Sequence, residues 1–419
     1  MPFASLGLSP DLVRATAERQ YLAPTPIQTA AIPAILRGED VLGSAQTGSG
    51  KTAAFALPLL QKIAERGRQT PRELQTLVLV PTRELAAQIA ESMARYAKAL
   101  PEPVKIVPVF GGVSINPQMM ALRGGAEVVI ATPGRLLDLL RSNALRIFGI
   151  STLVLDEADR LLDLGFAEEL ERILALLPRR RQNLFFSATF PPAVQALAQT
   201  LLHQPTRIEV AATPQTAPVI HQRAIEVDAG RRTQLLRHLV QEGGTSRVLV
   251  FVATQYATEH VAEKLSRAGI QAAPFHGDLS QGARTRVLED FKASTLQVVI
   301  ATDVAARGID IAHLPMVVNY DLPRSADDYL HRIGRTGRAG RSGTAISFVS
   351  AETEAHFRLI EKRQQQRVPR ERIAGFEPAE TEATANAPDP TGGIKGKRKS
   401  KKDKLREAAA LAAAPGTRK

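Results

Sequence analysis

The stretch best suited to chemistry is Ala45–Thr52, whose sequence is Ala-Gln-Thr-Gly-Ser-Gly-Lys-Thr. Its glycines let backbone amides wrap a polyphosphate, and the helix-compatible run that follows adds a positive dipole. Lys51 can reach the terminal phosphates of a nucleotide, and the Thr52 hydroxyl can ligate Mg²⁺. The loop residues expected to bind the nucleotide are Gln46, Thr47, Gly48, Ser49, Gly50, Lys51 and Thr52. Ala45 replaces the first glycine of the usual pattern, so a plain glycine-rich turn stays the alternative for this stretch alone.

A carboxylate pair, Asp156 and Glu157, directly follows the apolar run Thr152–Leu155. We expect Asp156 to hold a nucleotide-bound Mg²⁺ through water, because that ion keeps much of its hydration shell. Glu157 is placed to orient or deprotonate the attacking water. A helix N-terminus that gains only from dipole contacts is the alternative for such a pair, but the upstream Lys51 and Thr52 favour the nucleotide site.

Two arginines in a glycine-flanked segment, Arg335 and Arg338, could stabilise the charge on a transferring phosphoryl group. They lie far along the chain from Lys51, so hydrolysis would require two parts of the protein to close on each other. A basic surface cluster that touches nucleic acid is the alternative.

Upstream, the Gln28 amide matches the N6 and N7 edge of adenine, and Tyr21 could stack on the base. A simple proline-rich turn is the alternative there.

Apolar, β-rich runs alternate with helical patterns after the loop, which predicts an α/β fold with a parallel sheet flanked by helices. The runs are Leu77–Val80, Ile106–Phe110, Val128–Ala131, Leu153–Leu155 and Leu184–Phe186. A polar cluster follows each run, and ligands of open α/β sheets gather at the carboxyl ends of the strands. The sequence therefore predicts one active edge with clusters that begin at Pro81, Gly111, Thr132, Asp156 and Ser187.

The second half of the chain repeats the order of the first, which predicts two similar domains. The corresponding pairs are Leu79–Thr82 with Phe251–Thr254, Phe110–Gly112 with Phe275–Gly277, and Val128–Thr132 with Val298–Thr302. The second half lacks a Gly-Lys-Thr loop, so we expect no second nucleotide site. We assign 1–210 to the first domain, 211–218 to a linker, 219–365 to the second domain and 366–419 to a disordered basic tail.

The charge distribution indicates a polyanionic partner. The 419-residue chain has a formal net charge of +12, and residues 394–419 contribute +8 of it. Such a tail suits nucleic acid, although a solvated tail that aids solubility is the alternative. We see no stretch of membrane-spanning length, no signal peptide and no cysteine, which predicts a cytoplasmic protein without a membrane partner.

Taken together, the motifs resemble those of DEAD-box ATP-dependent RNA helicases over roughly residues 1–365. In the first half, the segments similar to the Q motif and to motifs I, Ia, Ib, II and III are Tyr21–Gln28, Ala45–Thr52, Pro81–Glu84, Thr132–Arg135, Asp156–Asp159 and Ser187–Thr189. In the second half, those similar to motifs IV, V and VI are Val250–Thr254, Ala301–Asp310 and His331–Arg338. Val368–Pro378 is similar to the segment that closes the core in bacterial RhlE-like members.

The resemblance implies two tandem RecA-like domains and roles that the residues alone do not give. Gln28 would make the enzyme specific for ATP, Phe3 would support its pocket, and Asp310 would hold the ribose across the cleft. Hydrogen bonds that couple hydrolysis to the contacts between domains are implied among Asp159, Ser187, Thr189 and His331. The residues implied to line an RNA path are Thr82, Arg83, Gly112, Thr132, Arg135, Thr254 and Thr302.

We therefore predict a helicase that uses ATP and Mg²⁺ to close two domains on RNA, either a single strand or a short duplex. Hydroxyls, glycine amides and arginines at strand ends suit phosphate and 2′-OH contacts, so binding should not depend on the base sequence. A DNA helicase and an RNA clamp or chaperone with little unwinding are the alternatives. Both halves of the catalytic site lie on one chain, which favours a monomer.

Overall fold

The computed structural model describes residues 2–45, 49–209, 220–244, 247–306, 314–337 and 342–379. Each half of the chain forms one seven-stranded parallel sheet covered by helices, which confirms the predicted fold of two similar α/β domains. The predicted linker 211–218 and the tail from residue 380 onward lie outside the described residues, and the exact domain boundaries remain predictions. In the ranges given above, no helix is long and apolar enough to span a bilayer.

The two sheets have the same topology. The strands of the first sheet are β1 (Val41–Ser44), β2 (Thr76–Leu79), β3 (Ile106–Val109), β4 (Val128–Ala131), β5 (Thr152–Leu155), β6 (Gln182–Ser187) and β7 (Thr206–Glu209), in the order β3-β4-β2-β5-β6-β1-β7. Those of the second are β8 (Ile220–Glu226), β9 (Val248–Phe251), β10 (Ala272–Phe275), β11 (Val298–Ala301), β12 (Met316–Asn319), β13 (Gly343–Val349) and β14 (Arg370–Glu371), in the order β10-β11-β9-β12-β13-β8-β14. Each strand of one sheet therefore has a counterpart in the other.

Helices cover both faces of each sheet, and the apolar side chains between the layers form the cores. The helices of the first domain are α1 (Pro10–Glu18), α2 (Pro26–Leu36), α3 (Lys51–Arg66), α4 (Arg83–Ala97), α5 (Asn116–Leu122), α6 (Pro133–Arg141), α7 (Ala158–Asp163), α8 (Ala167–Leu176) and α9 (Pro192–Leu201). Those of the second are α10 (Arg232–Glu242), α11 (Gln255–Arg267), α12 (Gln281–Lys292), α13 (Asp303–Ala306), α14 (Ala326–Ile333) and α15 (Glu354–Gln364). Burial on both faces explains why the strands read as continuous apolar runs.

Equivalent threonines begin equivalent helices in the two domains. The Thr82 hydroxyl accepts a hydrogen bond from Leu85 N at 3.2 Å, and the Thr254 hydroxyl accepts one from Ala257 N at 3.1 Å. Each cap satisfies an otherwise unpaired N–H group in the first turn and stabilises its helix by about 1 kcal/mol. Because β2 and β9 occupy matching places, α4 and α11 start at corresponding points of the two sheets.

The strand registers confirm the internal repeat with one correction. β2 and β9 align as the sequence predicts. In the outer strands β3 and β10, however, Val109 and Phe275 hold the equivalent places, each opposite the last residue of the neighbouring strand. Phe110 therefore corresponds to His276, because matching one phenylalanine to another shifted the sequence comparison by one residue.

Residues 366–379 form an ordered strap, so the disorder predicted for this segment is wrong. Within it, β14 pairs with β8 at the border of the second sheet. Arg370 donates hydrogen bonds of 2.9 to 3.0 Å to both Glu354 and Glu361 on α15. Phe376 packs against the core of the second domain. The polar composition hid this strap, because ion pairs between Arg370 and the preceding helix α15 help to hold it in place.

Candidate nucleotide site and RNA path

The phosphate loop joins β1 to α3, as predicted. Gly50 has a φ of 94°, and a Cβ at this position would overlap the Gln28 amide. Lys51 is 6% exposed, and its Nζ donates a hydrogen bond of 2.9 Å across the loop to the carbonyl of Ala45. The other described loop residues, both half-buried, are Ser49 and Thr52. Outside the described ranges lie Gln46, Thr47 and Gly48.

Gln28 connects the N-terminal helices to this loop. It lies in the first turn of α2 and is 4% exposed. Its Oε1 accepts a hydrogen bond from Thr25 N at 3.0 Å, and its Nε2 donates one of 3.1 Å to the carbonyl of Gly50. The residue predicted to recognise adenine is therefore also a clasp between α2 and the phosphate loop, which its motif alone did not reveal.

Tyr21 is held by three neighbours. Its ring stacks on Phe3 with centroids 6.4 Å apart, and its hydroxyl lies 3.2 Å from the Tyr96 hydroxyl. The Arg19 guanidinium lies 5.9 Å from the Tyr21 ring centroid. Burial, together with the hydrogen bond shared with Tyr21, raises the pKa of Tyr96 to about 12, so the Tyr96 hydroxyl is neutral at neutral pH. With 37% of its surface exposed, the positioned ring can still stack on a base.

Asp156 and Glu157 lie at the carboxyl end of β5, as predicted. Asp156 is only 3% exposed, and burial raises the pKa of its carboxyl to about 6 despite the positive charge of Lys51. A carboxyl buried in this way gains from a cation that stabilises its charged form, so the position fits a Mg²⁺ ion. Glu157 has a left-handed φ of 53°, and its N–H donates to Asp156 Oδ1 at 3.0 Å.

Asp159 is the centre of a hydrogen-bond network between β5 and β6. Its Oδ2 accepts hydrogen bonds from Thr189 N at 2.9 Å and from Thr189 Oγ1 at 2.7 Å. Its own N–H donates to Ser187 Oγ at 3.2 Å, and Ser187 Oγ donates to the carbonyl of Thr189 at 2.8 Å. These contacts are the first-domain part of the coupling network implied by the resemblance.

The second-domain part of that network involves Arg160, a residue that the sequence reasoning missed. Arg160 is 7% exposed and reaches α14, where it contacts His331 Nδ1 and lies 3.4 Å from the carboxylate of Asp328. In the described part of the chain, His331 meets Arg160 rather than Ser187 or Thr189. The only sequence signal was the position of Arg160 directly after the acidic motif.

The predicted arginine fingers are placed only in part. Arg335 lies just after α14, where its N–H donates to the carbonyl of Arg332 at 3.1 Å. Arg332 itself is 3% exposed and forms an ion pair of 2.6 Å with Asp303, so it is not a surface residue. Arg338 and Asp310 lie outside the described residues, and their roles remain predictions.

A second contact between the domains joins Glu84 of α4 to Arg284 of α12. Arg284 donates a hydrogen bond of 2.7 Å to Glu84, and the two side chains are 3% and 9% exposed, respectively. Arg284 also donates to the carbonyl of His276 at 3.0 Å and lies 4.4 Å from the ring centroid of Phe275. The sequence reasoning did not find this pair, because 200 residues separate its members.

The strand order divides the active edge into two halves. Strands β1, β6 and β5 are adjacent. β1 leads through the phosphate loop to Lys51, β6 ends at Ser187, and Asp156 directly follows β5. Strands β2, β4 and β3 form the other half and lead to the predicted RNA residues Thr82, Arg83, Gly112, Thr132 and Arg135. In the second domain, the counterparts β9 and β11 lead to Thr254 and Thr302. The residues predicted to bind nucleotide and those predicted to bind RNA therefore occupy separate halves of the edge.

Two arginines of the RNA half are fixed against the loop that follows β3. Arg83 Nη1 lies 3.5 Å from the carbonyl of Gly112, a residue with a φ of 76°. Arg135 is 8% exposed, and its Nη2 donates to the carbonyl of Val113 at 2.7 Å. The Thr132 hydroxyl accepts a hydrogen bond from Gly111 N at 3.4 Å. These contacts hold the predicted RNA residues at one edge of the sheet.

Two family models match the chain, "DEAD/DEAH box helicase" over residues 25–197 and "Helicase conserved C-terminal domain" over residues 231–340. The ATP-dependent RNA helicase DeaD of Mycobacterium tuberculosis is 43% identical to this chain over 387 residues, which are 92% of this chain and 68% of DeaD. These matches do not distinguish the RhlE-like subgroup from other members of the family, so membership of that subgroup stays a prediction.

Solved structures of Saccharomyces cerevisiae Dbp5 are also similar. Dbp5 bound to RNA and ADP BeF3 is 32% identical with a TM-score of 0.78, and the match covers 90% of this chain and 95% of that chain. A variant of Dbp5 bound to Nup159, Gle1, IP6 and ADP is 30% identical with a TM-score of 0.60 and covers 90% of this chain and 97% of that chain. Of these two structures, the RNA-bound one is the more similar to this chain. On these matches, together with the motifs and the paired sheets, the chain belongs to the DEAD-box family of ATP-dependent RNA helicases.

Proposed function

We propose that this chain couples ATP binding and hydrolysis to closure of its two domains on RNA, and thereby parts short duplexes locally or remodels RNA–protein complexes. The observation that carries this proposal is the position of two contacts that join the domains within the described residues. Arg160 joins the domains beside the residues proposed for hydrolysis, whereas Glu84 joins them beside Thr82 and Arg83 of the RNA half. Each ligand would stabilise the same closed arrangement, so the two ligands would favour each other's binding.

We propose the following roles for individual residues. The groups proposed to bind ATP and Mg²⁺ are the loop from Gln46 to Thr52, with Gln28 and Tyr21 at the base, Asp310 at the ribose, and Thr52 and Asp156 at the ion. When bound, Mg²⁺ neutralises charge on the terminal phosphates. Glu157 orients the attacking water, and Arg335 and Arg338 stabilise the charge that develops on the transferring group. We also propose that the protein acts as a monomer in the cytoplasm and ignores the base sequence of its RNA.

Steady-state ATP hydrolysis tests this function. The chain is assayed alone, with single-stranded RNA, and with DNA of the same sequence. We expect stimulation by RNA and not by DNA, because 2′-OH groups distinguish the two strands. Glu157→Gln should slow turnover by roughly a hundredfold or more while ATP and RNA still bind, since it removes only the group that activates water.

The outcomes separate the alternatives. Equal stimulation by DNA would keep the ATPase but contradict an RNA-specific enzyme. If Glu157→Gln continued to separate strands through many rounds at the unchanged rate, hydrolysis would not drive the cycle. In that case an ATP-gated RNA clamp or chaperone would describe the chain better.

A further inference from the structure

Tyr256, on α11, is an exposed aromatic residue that none of the proposed roles uses. It follows Thr254 and Gln255 directly, and its side chain is 77% exposed. Its ring stacks on that of His260 one turn later, with centroids 5.6 Å apart and planes only 13° from parallel. His260 is half-buried and lies against one face of the tyrosine ring. The two rings form a small stack that ends in a solvated aromatic face.

The internal repeat shows which part of the sheet this position belongs to. Thr82 and Thr254 cap their helices with nearly the same backbone angles, φ and ψ of −131° and 155° against −133° and 156°. Glu84 and Tyr256 are thus the second residues of equivalent helices that leave equivalent sheets. Glu84 uses this place to reach the other domain. Tyr256 therefore stands at the functional edge of its own sheet, in the half that leads to Thr254.

We propose that Tyr256, supported by His260, forms a stacking platform for one unpaired RNA base next to Thr254. A ring already held parallel to a second ring is pre-organised for a further flat group on its open face. Stacking accepts every base, because each has a π-face, so the platform adds affinity without base specificity. This inference rests on RNA binding at this edge, as set out under the proposed function.

Two glutamates of α11 are paired with residues other than Tyr256 and His260. Glu259 lies 2.8 Å from His276, and Glu263 forms an ion pair of 2.5 Å with Arg267.

Two rings spaced by one helical turn can also serve only to stabilise the helix. That simpler role predicts a change in thermal stability and no change in the surroundings of an RNA base.

Fluorescence of 2-aminopurine separates the two roles. Single-stranded RNAs that carry this probe at successive positions are bound to the full chain with Mg²⁺ and ADP BeF3. We expect the wild-type chain to change the probe's emission most at one position, where the base stacks on Tyr256. Tyr256→Leu keeps an apolar side chain but removes the π-face, so it should abolish that signal and weaken RNA affinity about 5- to 100-fold. Tyr256→Phe should preserve both, and His260→Ala should weaken both in part.

Phe148→Ala is the matched control. Phe148 is 75% exposed but lies in the turn before β5, at the opposite edge of its sheet, so its loss should leave RNA affinity unchanged. Melting temperatures of all variants report any structural effect separately. Unchanged RNA affinity and an unchanged probe signal in Tyr256→Leu would overturn the platform while leaving RNA binding intact. Failure of the wild-type chain to bind RNA would overturn the proposed function and the platform with it.

Discussion

At the scale of single residues, Gln28 shows how one buried side chain can link a recognition element to a catalytic loop. Its oxygen accepts a hydrogen bond from the N–H of Thr25, the residue before α2, and its nitrogen donates one to the carbonyl of Gly50. Both bonds are made by a residue that is 4% exposed, so losing either one leaves a buried polar group unpaired. The conformation of the phosphate loop should therefore depend on the side-chain amide of Gln28.

Gln28→Glu separates the two bonds. The acid keeps an oxygen for Thr25 but places a second oxygen opposite the carbonyl of Gly50. We expect the KM for ATP to rise by about tenfold or more, because two oxygens would face each other where a hydrogen bond now lies, at a cost on the order of 1 to 3 kcal/mol. Binding of fluorescent ATP and thermal melting measure the two effects separately. An unchanged KM in Gln28→Glu would show that the clasp has no part in nucleotide binding.

The residues that could be predicted from the sequence are those whose chemistry is local. Lys51 and Asp156 could be recognised because each lies in a short motif that follows an apolar run, and the residue types of that motif indicate what it binds. Arg160 and Tyr96 were missed because their partners are 171 and 75 residues away along the chain. A motif specifies which groups meet the ligand, whereas the groups that hold those residues come from elsewhere in the fold.

At the scale of elements, the strands and their order were predictable and the strap was not. Val128–Ala131 was predicted with the bounds of β4, because a strand buried on both faces must be apolar throughout. Strand β14 has two residues, and Arg370 binds two glutamates of α15 instead of contributing an apolar face. Patterns of hydrophobic residues cannot reveal an element that is held mainly by charge.

The strap should loosen in acid. Burial opposes ionisation of Glu354 and Glu361, but the hydrogen bonds from Arg370 outweigh it and lower the pKa of both carboxyls. Their ionised forms therefore stabilise the strap above the pKa of a free glutamate, about 4.3, and this stability is lost as the pH falls through the lowered values. We expect hydrogen-exchange protection of residues 368–376 to fall below about pH 4.

Arg370→Leu should remove that protection already at neutral pH. Arg358→Leu is the control, because Arg358 pairs with the same Glu354 but is 60% exposed, and exposed pairs contribute little. Equal protection in Arg370→Leu and the unaltered chain would mean that apolar contacts alone, such as those of Phe376, hold the strap.

At the scale of the whole molecule, two ion pairs within the described ranges join the first domain to the second. Arg160–Asp328 lies on the nucleotide side and Arg284–Glu84 on the RNA side. Removing one partner of a largely buried ion pair leaves the other charge without compensation, so the loss of either pair should destabilise the closed arrangement of the two domains. Arg160 is the residue directly after Asp159, so a side chain next to the acidic motif makes the ion pair with the second domain.

A charge exchange tests this link. Arg160→Asp should raise the RNA concentration for half-maximal ATPase stimulation about tenfold, because it places two carboxylates opposite each other. Adding Asp328→Arg should restore part of the loss. Closure itself can be followed by energy transfer between dyes on one introduced cysteine per domain, since the natural chain has no cysteine.

Arg14→Ala is the control for this experiment, because Arg14 is 60% exposed and pairs with Asp11 within α1. It should close like the unaltered protein. Normal closure and normal RNA stimulation in Arg160→Asp would assign domain closure to the RNA-side pair alone.

The pairing of β14 with β8 also bears on how the protein avoids self-association. A chain shortened at residue 365, the end of the second domain suggested by the sequence, would lack Arg370 and Phe376 and would leave the outer backbone groups of β8 unpaired. An open edge of this kind is a template for strands of other molecules and a common origin of aggregates. The strap thus protects the border of the sheet, and a shortened helicase core should stay dispersed only if it ends beyond Phe376.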